Sequence, residues 1–439
     1  MLDLMEQLRR TLASYPDVRR WWIGLSGGLD STLLAACVRD LQLAVPVHCV
    51  YIHHGLSAHA DEWQRHCEAL CRQWQIPFTA LAVDVQVGGQ GVEAAAREAR
   101  YQAFETLLQP GDGLLLGHHL DDQAETLLLR LMRGTGVTGL AGIQKERALG
   151  QGFLLRPLLG CSRQQLEQEA QRRNLQWVED DSNSQTHFDR NYLRLQVMPL
   201  LQERWPGFRR QWQQTADLCE ETAALVEEVA VADLAACQPE RSREGASLEM
   251  AALQGLTPFR RGNVLRLWLQ QQGRALPEKV HLQEVESQLV PGRSDSEAEV
   301  SWRDVRLQVH RQRLWLLPDL QSPVPGDPLG WDGSTPLRWG SWELQLETVT
   351  SGGWRWPSQG VLVQARRGGE RCHPAGRSHS QVLKKLLQEA GVAPWLRPQL
   401  PIITTLEGEI VAVGDLWCCR GWESGSGPGV RLRWEYRPA

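Results

Sequence analysis

The sequence predicts an α/β fold: a doubly wound parallel sheet, then a mainly helical domain and a small α+β C-terminal domain. Three observations carry this. Over the first 210 residues, short apolar runs alternate with helical patterns, as a parallel sheet with crossover helices requires. From residue 211 the text turns to Ala, Gln and Glu at helical spacing. A Pro- and Gly-rich stretch at 318–336 then sets off a last segment of mixed strand-like runs. The expected domains are 1–210, 211–320 and 337–439.

In chain order, the apolar runs at 21–25, 47–53, 78–83, 114–117 and 153–155 are the expected strands. Helical spacing fills the gaps, most clearly at 31–43 and 60–74. Helices are expected again at 211–249, 257–272 and 278–289, followed by two short strands at 305–310 and 314–317. The tail offers one clear helix, 381–390.

Composition narrows the function classes. The 439 residues carry 47 Lys+Arg against 52 Asp+Glu, a formal charge of -5. That excludes a globally basic nucleic-acid binder but leaves room for a local basic surface. No apolar run reaches the ~18 residues of a membrane span, and the first residues lack a secretory stretch. A cytoplasmic protein without membrane contact is expected. Ten cysteines include no Cys-x-x-Cys pair, so they read as reduced thiols. Cys67 and Cys71, with His66, are expected to pack rather than bind zinc. The 19 tryptophans suit core and interface packing more than RNA stacking.

Ligands in a doubly wound sheet sit beyond the C-terminal strand ends, so the residues after each run matter most. After the first run comes Ser26-Gly27-Gly28-Leu29-Asp30-Ser31, opening a helix. Two glycines let backbone approach a phosphate, and the helix start offers unpaired N–H groups. Ser26 and Ser31 add hydroxyl donors. There is no Gly-Lys-Ser/Thr ending, so this is not the Walker loop. The second run ends in Tyr51-Ile52-His53-His54-Gly55-Leu56-Ser57, where an adenine or ribose would sit. The fourth is followed by Gly117-His118-His119-Leu120-Asp121-Asp122-Gln123-Ala124-Glu125-Thr126. Carboxylates at that turn suit Mg²⁺ or a general base. One aspartate can serve as a helix cap, but two His and two Asp exceed that need. A dinuclear metal hydrolase is the competing reading of this motif alone.

The SGGLDS loop resembles the PP-loop of N-type ATP pyrophosphatases, which cleave ATP to AMP and pyrophosphate. HHGLS, GHHLDDQAET and the run from Glu93 through Arg97 and Arg100 to Tyr101 narrow the resemblance to the tRNA(Ile)-lysidine synthase family. So do Arg133-Gly134-Thr135-Gly136, Arg156-Pro157-Leu158-Leu159, Asp180-Asp181-Ser182-Asn183 and Asp189-Arg190-Asn191-Tyr192-Leu193-Arg194. These motifs span nearly all of the first 200 residues, in order. The tail, with Leu383-Lys384-Lys385-Leu386 and Pro394-Trp395-Leu396-Arg397, is similar to the last domain of longer members.

The resemblance implies a two-step ligation. The C2 oxygen of the wobble cytidine of an isoleucine tRNA with a CAU anticodon attacks the α-phosphate of ATP, and pyrophosphate leaves. The ε-amine of free L-lysine then attacks C2, and AMP leaves. Ser26, Gly27, Gly28, Leu29, Asp30, Ser31, His53 and His118 are the expected ATP-binding residues. Asp30 is the candidate for Mg²⁺ or for the loop's geometry. Asp122, with Asp121 second, is the candidate base or ammonium anchor, because –NH₃⁺ must lose a proton before it attacks. Arg190 and Arg194 are candidates for phosphate or tRNA, with surface ion pairs as the alternative. Glu93 and Arg97, four apart, read as a helical pair.

The tRNA needs local positive charge. Arg209 and Arg210 end a basic run from 190, and Arg366, Arg367, Arg371, Lys384, Lys385 and Arg397 form a second cluster. A homodimer is left open. The competing classes are a tRNA thiolation enzyme of the same superfamily, disfavoured without Cys-x-x-Cys, a glutamine-dependent ligase, and a non-enzymatic RNA-binding protein.

Overall fold

The computed structural model describes residues 4–57, 59–85, 92–179, 186–291, 298–320 and 322–437, apart from the side chain of Glu93. The stretch Asp180-Asp181-Ser182-Asn183 and the expected Glu93–Arg97 pair therefore lie outside the described residues. The chain forms two compact units, Met1–Leu225 and Val226–Ala439. No helix among the described residues is long and apolar enough to cross a membrane.

The first unit runs α1 (Leu4–Ala13), β1 (Arg20–Gly24), α2 (Leu29–Asp40), β2 (Val47–His53), α3 (Ala60–Trp74), β3 (Phe78–Ala82), α4 (Val92–Leu107), β4 (Asp112–Leu115) and α5 (Leu120–Met132). It continues through α6 (Val137–Leu140), β5 (Glu146–Leu149), β6 (Gly152–Leu155), α7 (Arg163–Arg172), α8 (Asp189–Tyr192) and α9 (Met198–Arg204) into α10 (Phe208–Ala236), whose last residues belong to the second unit. The sheet order is β3-β2-β1-β4-β6-β5, with every neighbouring pair parallel except β5 against β6. Side chains alternate across β1. Trp21 and Ile23 join the core under α1, α2 and α3, and Trp22 joins the opposite core with Tyr101 and Phe104 of α4. Helices on both faces make the sheet doubly wound, and all five expected strands are present to within a few residues. The antiparallel edge strand β5 was not expected. Its text, Glu-Arg-Ala-Leu, has no β-branched run, and it reaches β6 through Gly150 in a left-handed conformation (φ 55°).

The second unit departs from the expected helices in one place. The helix expected over 211–249 ends at Ala236, and Glu240–Ser242 and Gly245–Glu249 form a hairpin instead. Ala246, Ser247 and Leu248 are buried one after another, and Cys237 fully, so burial makes a strand of this Ala- and Glu-rich text. This hairpin joins Arg313–Leu316, Val305–His310 and Glu299–Trp302 in a five-stranded sheet. Helix Pro258–Gln271, capped by Thr257, packs with it, and Lys279–Glu284 continues as a π turn at Val285–Leu289. In the tail, the expected helix over 381–390 is Leu383–Glu389. Its first two residues pair with Arg371–Cys372 as strand. Nine tryptophans fall in 331–434. Five of them, Trp331, Trp339, Trp342, Trp354 and Trp434, are buried there, in line with the expected packing role. Trp395 reaches back to 240–317: its Nε1 donates to the Glu244 carbonyl at 2.9 Å, and its ring lies 5.8 Å from His310 and 5.9 Å from Trp315.

Candidate functional site

Strand order reverses direction around β1, which lies between β2 and β4, and the crevice at its C-terminal end receives the motifs. The turn after β1 is built for backbone exposure. Gly27 has φ +85°, and a Cβ there would sit 2.9 Å from Val178 Cγ2 and 3.2 Å from Cys67 Sγ. Gly28 is the extended N-cap of α2 and makes no side-chain cap. The Ser31 hydroxyl accepts from the Ser26 N–H at 3.1 Å and donates to the Gly28 carbonyl at 3.1 Å, which shapes the loop. Gly117 lets the end of β4 approach, since a Cβ there would lie 3.0 Å from the Asp30 carbonyl carbon. Gly27→Ala is expected to cost about 1–3 kcal/mol of stability and to weaken ATP binding, read by thermal melting and nucleotide titration.

His119 knits the loop to α5. It caps the helix, its Nδ1 accepting from the Asp122 N–H at 3.3 Å while the Asp122 carboxylate takes the His119 N–H at 3.0 Å. Its Nε2 lies 3.7 Å from Asp30 and 3.5 Å from Asp122, so one imidazole spans both carboxylates. Burial pushes the Asp30 carboxyl up, against the opposing pull of His119 and Arg163. Arg163, at the start of α7, pairs with Asp30 Oδ2, and Asp30 Oδ1 is buried with no hydrogen-bond partner. Burial would also raise Asp122, but His119, Arg190 and His118 outweigh it and hold the carboxyl down to about 2.

Behind Asp122 lies Glu125, 1% exposed. Arg190 donates to Glu125 at 2.7 Å and to Asp122 at 2.9 Å, and Arg194 donates to both Glu125 oxygens at 2.8 and 3.0 Å. Asp121 points elsewhere. It accepts the Arg163 N–H at 2.8 Å and pairs with Arg209 at 2.5 Å.

On the other side of β4, Arg156 donates to His118 Nδ1 at 3.2 Å and to Tyr101 Oη at 3.1 Å. Burial pushes His118 down to about 3, so its ring is neutral, with Nδ1 accepting and Nε2 protonated. Arg97, Arg100 and Arg147 lie 5.2, 5.9 and 4.7 Å from the Tyr101 ring centre. The unfolded His118 gains a proton below pH ~6.5 and the folded one only near 3. Stability from this group is therefore complete above ~6.5 and is lost as pH falls toward 3. At pH 5 the loss is expected to be about 2 kcal/mol. A His118→Gln variant should show a smaller drop in urea stability between pH 7 and pH 5 than the parent.

The crevice thus gathers Ser26, Gly27, Gly28, Leu29, Asp30, Ser31, Asp121, Asp122, Arg190, Arg194 and Arg209. His53 stands at the end of β2, 2.9 Å from Asp61 of α3, and Arg210 is exposed on α10. In the second unit, Arg366 lies 3.6 Å from Glu370 and Lys385 4.0 Å from Glu389. Arg371 donates to the Ser380 carbonyl at 3.0 Å, Arg397 to that of Val392 at 2.9 Å, and Arg367 and Lys384 are exposed. Sequence reasoning quoted Glu125, His119 and Arg156 within motifs without giving any of them a role, and it missed Arg163. Glu125 was readable, because an Asp-Asp-x-x-Glu spacing puts it on the helix face of Asp121 and Asp122. Arg163 had no local signal.

Among the described residues, no group of three or more His, Cys, Asp or Glu is arranged to hold a metal ion, against the dinuclear hydrolase reading. Cys67, beneath the loop, is pushed up to about 12 by burial and stays a thiol, unlike a sulfur-transfer thiolate.

A parallel sheet whose central strand ends in this glycine loop, with carboxylates and arginines at the next strand end, defines a PP-loop protein that uses ATP. The PP-loop domain family matches residues 2–201, the TilS substrate binding domain residues 248–315, and the TilS substrate C-terminal domain residues 361–434. The chain is 39% identical over 420 residues to a tRNA(Ile)-lysidine synthase of Pectobacterium atrosepticum, covering 94% of each chain. It is 41% identical over 415 residues to that of Pseudomonas putida, covering 90% of this chain and 92% of the relative. With that of Coxiella burnetii it is 34% identical over 426 residues, covering 95% and 94%. The chain belongs to the tRNA(Ile)-lysidine synthase family.

Proposed function

We propose that this protein joins lysine to C2 of the wobble cytidine of isoleucine tRNA with a CAU anticodon, through an adenylated cytidine. One observation carries the reading: the phosphate loop, through Asp30 and His119, meets the carboxylates Asp122 and Glu125 and the arginines Arg190 and Arg194 in a single crevice.

In the first step the cytidine C2 oxygen attacks the α-phosphate, the Pα–O bond to pyrophosphate breaks, and the loop's free N–H groups receive the departing charge. The unpartnered Oδ1 of Asp30 is a hard oxygen donor suited to Mg²⁺, which would supply charge neutralisation on the phosphates. His118 presents a neutral Nε2–H donor in the same region. In the second step the lysine ammonium gives up a proton to solvent, the freed amine forms the C2–N bond, the C2–O bond to the phosphate breaks, and AMP leaves with that oxygen. A carboxylate held near 2 is a strong ammonium anchor and a weak base, so Asp122, backed by Glu125, seats the lysine. Arg190 and Arg194 neutralise phosphate or carboxylate charge beside it. Arg209, Arg210 and the basic residues of the tail hold tRNA phosphates. The protein acts in the cytoplasm.

The test is one incubation of protein, ATP, Mg²⁺, radiolabelled lysine and a CAU isoleucine tRNA transcript, with methionine tRNA as control. Label should enter only the isoleucine tRNA, with one pyrophosphate released per lysine joined. No transfer of label to the RNA, with intact ATP binding, overturns the reading.

A further inference from the structure

The helical segment from Asp189 to Arg204, made of α8, a π turn at Leu193–Val197 and α9, has two different sides. The inner side carries Arg190 and Arg194 onto Glu125, and beyond them Met198 is buried with Ala124 and Phe208. An ordinary surface helix would be polar on the outer side. Here Phe188, Tyr192, Leu195 and Leu200 face outward, 39%, 50%, 42% and 67% exposed. Their spacing of four, three and five follows one face, the longer step falling where the π turn widens the spiral. A single exposed leucine signifies little, but an aromatic and aliphatic stripe marks a contact surface.

We propose that this face is a stacking platform for unpaired bases of the RNA loop that carries the modified cytidine. The inference rests on the reading above, since it requires RNA as the substrate. Three observations select bases as the occupant. Tyr192 lies two residues from both Arg190 and Arg194, so its ring stands about one helix diameter, roughly 10 Å, from the crevice. Chemistry on C2 of one base takes that base out of its stack, and the neighbours it leaves need flat apolar partners. Of the five arginines in 190–210, Arg190, Arg194 and Arg209 face Glu125, Asp122 and Asp121, while Arg204 and Arg210 are exposed, a placement that suits the phosphates joining those bases. Arg204 lies 5.8 Å from the Trp205 ring centre at the end of the same segment.

The experiment compares Tyr192→Ala, Tyr192→Leu and Tyr192→Phe in the full chain, with Phe188→Leu as a second site. Affinity for the CAU isoleucine tRNA transcript, affinity for ATP, and sedimentation are measured for each. Ala and Leu should weaken tRNA binding roughly 5- to 100-fold, and Phe should bind nearly as the parent. ATP affinity should not change. Equal tRNA affinity in Leu and Phe would show plain apolar contact and overturn stacking. Unchanged tRNA affinity in all variants overturns the platform, and a shift in oligomeric state without loss of RNA binding assigns the face to a second copy. A parent protein that neither binds nor lysidinylates the tRNA would instead overturn the function itself.

Discussion

Asp30→Asn is expected to reduce pyrophosphate release by at least roughly 100-fold while leaving the protein as stable as the parent or slightly more so. The two effects have separate causes. The amide keeps the size and shape of the carboxylate but cannot pair with Arg163 or offer an anionic oxygen to Mg²⁺. Burial raises the Asp30 carboxyl, which means that folding disfavours its charge. Removing that charge relieves the fold and disables the loop. Pyrophosphate release and thermal melting of the same preparation separate the outcomes. Near-parental release from a well-folded variant would remove Asp30 from the first step.

Glu125→Gln should show the second large effect. One buried carboxylate fixes two arginines, and its loss leaves both guanidinium groups without that counter-charge. Breaking a fully buried pair costs ~3–5 kcal/mol. Arg190 and Arg194 keep 25% and 39% of their side-chain surface in water, so a loss of about 2–3 kcal/mol is expected. Lysine transfer should fall by roughly 100-fold or more, because the arginines and Asp122 lose their fixed positions. Pyrophosphate release should fall less. Single-turnover transfer measured against adenylation checks the split; equal losses in both steps would place Glu125 behind the nucleotide instead.

The catalytic sheet was legible because its strands are short apolar runs and each motif sits at a run's C-terminal end. The same reading placed Ser26 to Ser31 and Asp121 to Asp122 at one site. It ranked Asp122 ahead of Asp121 for one and the same role, and the structure gives them different partners: Asp122 faces His119 and Arg190, Asp121 pairs with Arg163 and Arg209. That difference depends on which way each side chain leaves the first turn of α5, and spacing alone does not carry it. The hairpin after Cys237 escaped notice because alanine and glutamate favour helix locally, and tertiary burial of Ala246 and Leu248 overrode that preference. Tyr101 and the arginines around it were quoted as a motif, but the convergence of α4 with Arg147 and Arg156 joins residues about fifty positions apart.

The concentration of tryptophan in the tail has an optical consequence. Twelve of the 19 indoles belong to the second unit, and Trp339 and Trp342 have no exposed surface. Emission excited near the red edge of protein absorption will therefore come mainly from that unit, at the short wavelengths of a dry environment. A melting curve followed by this light measures the loss of the tail's packed rings. Events in the ATP crevice call for a different signal, such as a fluorescent nucleotide.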